Sequence, residues 1–253
     1  MLLQDKVTVV YGAGGAIGGA VARAFGAEGA RVFVSGRSLG PVQTVAKEIA
    51  AAGGAAEAAQ VDALDEAAVD RHTEQVAEQA GGIDVCFNAI GVHAVQGTPL
   101  TELALSDFAF PITTWPSTQF LTARAAARHM VTKRKGVIIT LTASPARLAL
   151  PGAGGFGVAC AAIEALTRTL AAELGPQGVR VVCLKPHRIA DSGASADPRS
   201  EAAEFRRSLE DMTLLKRLPT LAEVANTAVF LASDHAASMT GAVANLTGGM
   251  DVD

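Results

Sequence analysis

The chain has 253 residues, 49% hydrophobic and 18% charged, with a formal net charge of −4. That is enough apolar material for one large α/β domain or two small ones. The acidic balance and only 4% aromatic residues leave neither the basic footprint nor the stacking platform of a nucleic-acid binder.

In chain order, Lys6 to Tyr11 is a β-branched run that reads as a buried strand of a parallel sheet. The glycine-rich stretch Gly12 to Gly19 follows, then a helix through Val21, Ala22 and Phe25, a turn at Gly29-Ala30, and a second strand from Arg31 to Ser35. Strand, glycine loop, helix, strand is the setting in which backbone N–H groups at a helix start receive a dinucleotide pyrophosphate. Strict G-x-G-x-x-G spacing fails, because position 17 is Ile; the wider spacing of Gly12 and Gly18 fits.

The alternation continues. A helix is expected over Pro41 to Ala52, a strand over Glu57 to Val61, and a helix over Glu66 to Gln79. A strand follows at Ile83 to Phe87, ending at Asn88. A long helix carries Phe120, Ala125 and Met130, and leads to a strand at Val137 to Leu141. A helix from Gly155 to about Leu174 precedes a strand at Val179 to Leu184. The stretch from Ile189 to about Ser200, rich in Ser, Gly, Ala, Asp and Pro, reads as a mobile loop. Helical segments run to Ser233, and the last strand covers Ala242 to Leu246. Repeated βα units predict a single-domain, Rossmann-like, doubly wound parallel sheet over residues 1–253. No stretch is expected to span a membrane, the N-terminus does not read as a signal peptide, and the three cysteines read as buried thiols, so a cytoplasmic protein is expected. No Cys, His, Asp or Glu spacing suggests a metal site.

Several stretches together resemble the short-chain dehydrogenase/reductases, most closely those like the bacterial 3-ketoacyl carrier-protein reductases. Tyr11-Gly12-Ala13-Gly14-Gly15-Ala16-Ile17-Gly18 is similar to that family's T-G-x-x-x-G-I-G, and Asp84 to Gly91 to its D-x-L-V-N-N-A-G strand. Val61-Asp62, Gly178 to Val181, Leu215 to Leu218, Phe230 to Ser233, Thr240-Gly241 and Gly248-Gly249 match further family stretches. The resemblance implies an NAD(P)-dependent oxidoreductase with a cofactor site at Gly12, Ala16, Ile17, Gly18, Arg37, Asp62, Asn88, Ala89, Gly91, Pro186 and Ile189. It implies a homo-tetramer or dimer acting on a small molecule. At the end of the second strand, Gly36 removes the acid that would repel a 2′-phosphate, and Arg37 offers a bidentate phosphate partner. NADP(H) is therefore favoured over NAD(H).

The family's catalytic Asn, Ser, Tyr and Lys fall on Trp115, Ala143, Phe156 and Cys160. None of these supplies the lost chemistry: Phe156 has no hydroxyl and Cys160 no cation. Phe156 and Cys160, four apart, share a helix face. Tyr11, the only tyrosine, lies in the glycine-loop strand. The candidate substitutes for proton transfer are Ser144, His93 and His187, with Lys185 flanking Pro186. Cys160 is weighed as a nucleophile at a helix start. His187 and Asp191 replace a Gly and a Thr that in the family face the nicotinamide. Trp115 and Phe156 are expected to form an apolar wall suited to a hydrophobic or aromatic ligand. Three readings follow: an atypical NADP(H) oxidoreductase, a silent subunit or ligand sensor beside an active paralogue, or a non-redox enzyme on this fold.

Overall fold

The computed structural model describes residues 1–192 and 201–252; the end of the expected mobile loop lies outside them. Seven strands form one parallel sheet in the order β3-β2-β1-β4-β5-β6-β7. They are β1 (Val7–Tyr11), β2 (Arg31–Gly36), β3 (Ala55–Gln60), β4 (Val85–Asn88), β5 (Gly136–Leu141), β6 (Val179–Pro186) and β7 (Val243–Leu246). The helices are α1 (Ala16–Ala27), α2 (Leu39–Ala51), α3 (Glu66–Ala80), α4 (Leu105–Lys133), α5 (Gly154–Leu174), α6 (Glu201–Met212) and α7 (Leu221–Ala232).

Every element of the expected alternation is present, with shifted ends. The edge strand β3 starts two residues early, in an alanine-rich run whose weak β-propensity left its start undefined. Helix α2 starts at Leu39, because Pro41 is tolerated in a first turn. Strand β6 runs two residues further than expected, through Lys185 and Pro186, which still pair with Asn245 and Leu246.

Strand side chains alternate between two cores, as a period of two dictates. Val10, Val32, Val34, Val85 and Phe87 join residues of α1, α2 and α7 on one face. Val9, Tyr11, Phe33 and Cys86 join residues of α3, α4 and α5 on the other. The strand order reverses between β1 and β4, so a crevice opens beyond their carboxyl ends.

The expectation that no segment could span a membrane needs correction. Gly154–Gln177 is long and apolar enough by length and composition alone. It lies instead against the sheet, with Ile163, Thr167 and Leu170 buried and charged Glu164 buried among them. High Ala and Leu content that serves close helix packing also raises hydropathy.

Helices α4 and α5 cross very closely. A Cβ on Gly155 would lie 1.9 Å from the backbone oxygen of Phe108. Gly155→Ala is expected to force the helices apart and to cost about 1–3 kcal/mol. The measurement is a fall in denaturant midpoint at unchanged slope; a wild-type midpoint would contradict the tight crossing.

Candidate active site

The nucleotide half of the crevice is shaped by glycines. Gly12 has φ +74° and its Cβ would meet the backbone of Ala89 at 2.9 Å. A Cβ on Gly18 would come within 2.4 Å of the Gly12 oxygen. These two positions let the loop fold beneath the start of α1. No side chain caps that helix, so its first-turn N–H groups face the crevice uncapped. The crevice encloses about 430 Å³ and is lined by Gly12, Gly15, Arg37, Asp62, Ala89, Gly91 and His93, among others. A glycine cradle, an uncapped helix start, and Arg37 beside Gly36 fit a dinucleotide's phosphates.

Not every expected cofactor residue faces the crevice with a free side chain. Asn88 is buried, and its amide donates to the Thr118 oxygen and Thr122 Oγ1, each at 2.9 Å. Its Oδ1 accepts from the Ile90 N–H at 2.9 Å. Asn88 therefore ties β4 to α4 and bends the loop behind it. Asp62 Oδ1 accepts from the Leu64 N–H at 3.0 Å and still lines the crevice. Ile189 is buried in the α1–α7 core. Ala16 is exposed, Ile17 half-buried and Pro186 buried at the end of β6. Asp191 caps α7, its Oδ1 accepting from the Leu221 N–H at 2.8 Å.

The register of β5 and β6 decides which residues meet just beyond those two strands. Leu141 pairs with Leu184. Ser144 and His187 each follow three residues later and meet. Ser144 Oγ and His187 Nδ1 are 2.8 Å apart, with Ser144 2% and His187 8% exposed. Burial, and then the neighbouring Arg188 charge, push the His187 pKa below the usual histidine value. The shift favours the uncharged imidazole, whose Nδ1 accepts from Ser144 Oγ or donates to it according to the tautomer. His187 Nε2 is buried without a hydrogen-bond partner. His93 lies apart from this pair, exposed on the loop that lines the nucleotide crevice.

Trp115, Ala143, Phe156 and Cys160 belong to one apolar block. Trp115 and Phe156 stack with ring centroids 5.3 Å apart and planes 8° apart. Ala143 and Ala146 pack against the same cluster as Cys160 and Cys183. Trp115 Nε1 is buried without an acceptor. The nucleophile reading of Cys160 fails. Its side chain is fully buried, and burial pushes its thiol up to about 12. A helix start lowers a thiol pKa only within the first turn, and Cys160 lies beyond it.

One feature escaped the sequence reading. Lys185 is fully buried and forms an ion pair with Asp251, with Glu164 Oε1 at 3.8 Å. Burial raises the Glu164 pKa above the usual carboxylate range. Asn245 Nδ2 donates to the Asp251 oxygen at 2.7 Å, which holds the C-terminal turn over the end of β6. Breaking one side of such a pair leaves a buried charge. Lys185→Met is expected to cost about 3–5 kcal/mol, and adding Asp251→Leu to recover part of that loss. Chemical denaturation of both variants checks it; additive losses would refute the pairing.

The comparisons with known proteins agree on the scaffold. A family model described as enoyl-(acyl carrier protein) reductase matches residues 12–251. The meso-2,3-butanediol dehydrogenase of Serratia marcescens is 34% identical over 250 residues, covering 98% of this chain and 96% of the relative. The 3-oxoacyl-[acyl-carrier-protein] reductase of Synechocystis sp. is 31% identical over 255 residues, covering 98% of each. Among solved structures, an NAD+-bound xylitol dehydrogenase superposes with a TM-score of 0.89 at 26% identity, covering 98% of this chain and 100% of the other.

Proposed function

The chain belongs to the short-chain dehydrogenase/reductase family, and from that premise we propose that it is an NADP(H)-dependent oxidoreductase whose proton is handled by Ser144 and His187. The observation that carries this reading is the buried 2.8 Å contact between Ser144 Oγ and His187 Nδ1. Bound nicotinamide supplies the hydride acceptor or donor. The first-turn N–H groups of α1 and the glycines at 12 and 18 would hold the pyrophosphate, and Arg37 the 2′-phosphate.

In the direction of alcohol oxidation, the substrate hydroxyl donates to Ser144 Oγ. As the carbinol C–H leaves as hydride, the hydroxyl proton passes to Ser144 Oγ and the serine proton passes to His187 Nδ1. The alcohol becomes a carbonyl, and His187 becomes imidazolium. Reduction reverses each transfer. Because its pKa is lowered, His187 is available in its base form at neutral pH, the form that the oxidative direction uses. The relatives named dehydrogenases and reductases are compatible with either direction.

A second reading rests on the Trp115–Phe156 stack, which lies where the resemblance places the family's asparagine and phenol. On that reading the chain binds nucleotide but acts as a silent subunit, with an active paralogue supplying turnover. Purified protein that binds NADPH yet turns over no alcohol or carbonyl by itself would favour it.

Ser144→Ala and His187→Ala are each expected to lower kcat by about 10²–10⁴-fold. NADP+ affinity, followed by fluorescence titration, should stay unchanged. Full activity in both variants would remove the proposed pair. The pH profile carries a defined sign. Oxidation needs neutral His187, so its rate should hold level from about pH 8 to 6.5 and fall only below the ordinary histidine value. A fall beginning above pH 7 would contradict the lowered pKa.

Cofactor choice has its own test. Gly36→Asp should weaken NADP+ binding and favour NAD+ by placing a carboxylate beside the ribose. Unchanged relative affinity in equilibrium titrations would place the 2′-phosphate elsewhere.

A further inference from the structure

The aromatic pair fills positions the resemblance gives to the family's catalytic groups, and its neighbours reach the crevice. Trp115 is buried, whereas Phe156 stays half-exposed, so one Phe156 face meets the indole while the ring keeps contact with solvent. Val92 links two regions: it lines the nucleotide crevice and packs against the Trp115 cluster. Thr114 and Thr118, on either side of Trp115 in α4, line that same crevice. Ala143 and Ala146, which flank Ser144 in the chain, pack in the cluster as well. Through Val92 on one side and Ala143 and Ala146 on the other, the stack neighbours both the cofactor crevice and the loop that carries Ser144. The hydrophobic residues packed around it include Val92, Ile112, Ala143 and Ala146.

From this placement we propose that the substrate is an aryl or otherwise planar, conjugated carbinol or ketone. Its ring lies on the open part of Phe156 as a third layer beyond Trp115, and its reacting oxygen reaches Ser144 Oγ. The substrate class rests on the oxidoreductase reading; the binding platform does not depend on turnover. Offset stacking adds attraction beyond burial of the same area, which corresponds to roughly three- to tenfold in affinity. A saturated ring of equal size gains the burial without that increment.

Trp115 is the only tryptophan in the chain, so its fluorescence reports directly on this site. The probes are 1-phenylethanol and 1-cyclohexylethanol, titrated into NADP+-saturated protein with excitation at the red edge of indole absorption. The expected result is a saturable change with both, with 1-phenylethanol at least threefold tighter. Phe156→Leu should erase that preference, and Phe156→Tyr should keep it. Equal affinities in the wild type, or a preference that survives Phe156→Leu, would overturn the proposal. So would an absence of saturable binding by either alcohol. Tight, selective binding without turnover would leave the platform standing and instead remove the Ser144–His187 proton path.

Discussion

The hydrogen-bonded register between β5 and β6 is the constraint on which the chemical end of this molecule depends. Leu141 faces Leu184, and the Thr142 N–H continues the ladder to the Leu184 oxygen at 3.0 Å. Two neighbouring parallel strands that end together deliver the residues just beyond them to the same place. Ser144 and His187, 43 positions apart in the chain, are brought into a buried hydrogen bond by that arithmetic alone. A slip of one residue would turn every side chain of β6 to the opposite face and separate them. The buried Lys185–Asp251 pair acts on the same strand end. It ties β6 to the C-terminal turn just before His187, where a loose strand end would loosen the imidazole.

The second constraint is steric. Gly155 allows α5 to start almost in contact with the backbone of α4, and the next residue, Phe156, then lies flat on Trp115. A larger residue at 155 would lift Phe156 off the indole. The aromatic stack is thus a consequence of how closely two helices cross. The orphaned Trp115 Nε1–H is the cost of placing an indole there, since a buried donor without an acceptor loses its bond to water. The aromatic wall and the strand-end pair share the loop after β5, with Ala143 and Ala146 in the wall and Ser144 in the pair.

The scaffold was legible because its signals are local. Glycines at 12 and 18, β-branched runs at 7–10 and 137–139, and the βα alternation need no knowledge of distant contacts. Ser144 and His187 could each be singled out from the sequence as candidates. Their partnership could not, because it depends on strand register and not on any spacing in the chain. Lys185 shows the same limit from the other side. In the sequence it looks like any soluble lysine, and only the fold sets it in a dry layer with carboxylates 21 and 66 positions away. Asn88 looked like a cofactor ligand, yet its side chain is fully engaged with α4 and its own loop.

Replacing a phenol by an imidazole changes more than the identity of the acid. A family tyrosine has an ordinary pKa near 10, so it must be driven down by a cation to act as a base near neutral pH. A histidine starts near 6.5 and needs no cation for that purpose. On the proposed reading no cation is needed at position 160, where Cys160 is sealed into the core with its thiol pKa pushed up by burial. Burial works in opposite directions on the two kinds of group. It would raise a phenol's pKa and leave less of it as phenolate near neutral pH, whereas it lowers that of His187 and keeps it unprotonated, at the cost of a weaker proton acceptor. An apolar lining that would handicap the family's relay is therefore compatible with this one. The loss of Tyr and Lys together, with hydrophobic residues in both places, is what a change from a cation-assisted phenol to a neutral, desolvated imidazole would require.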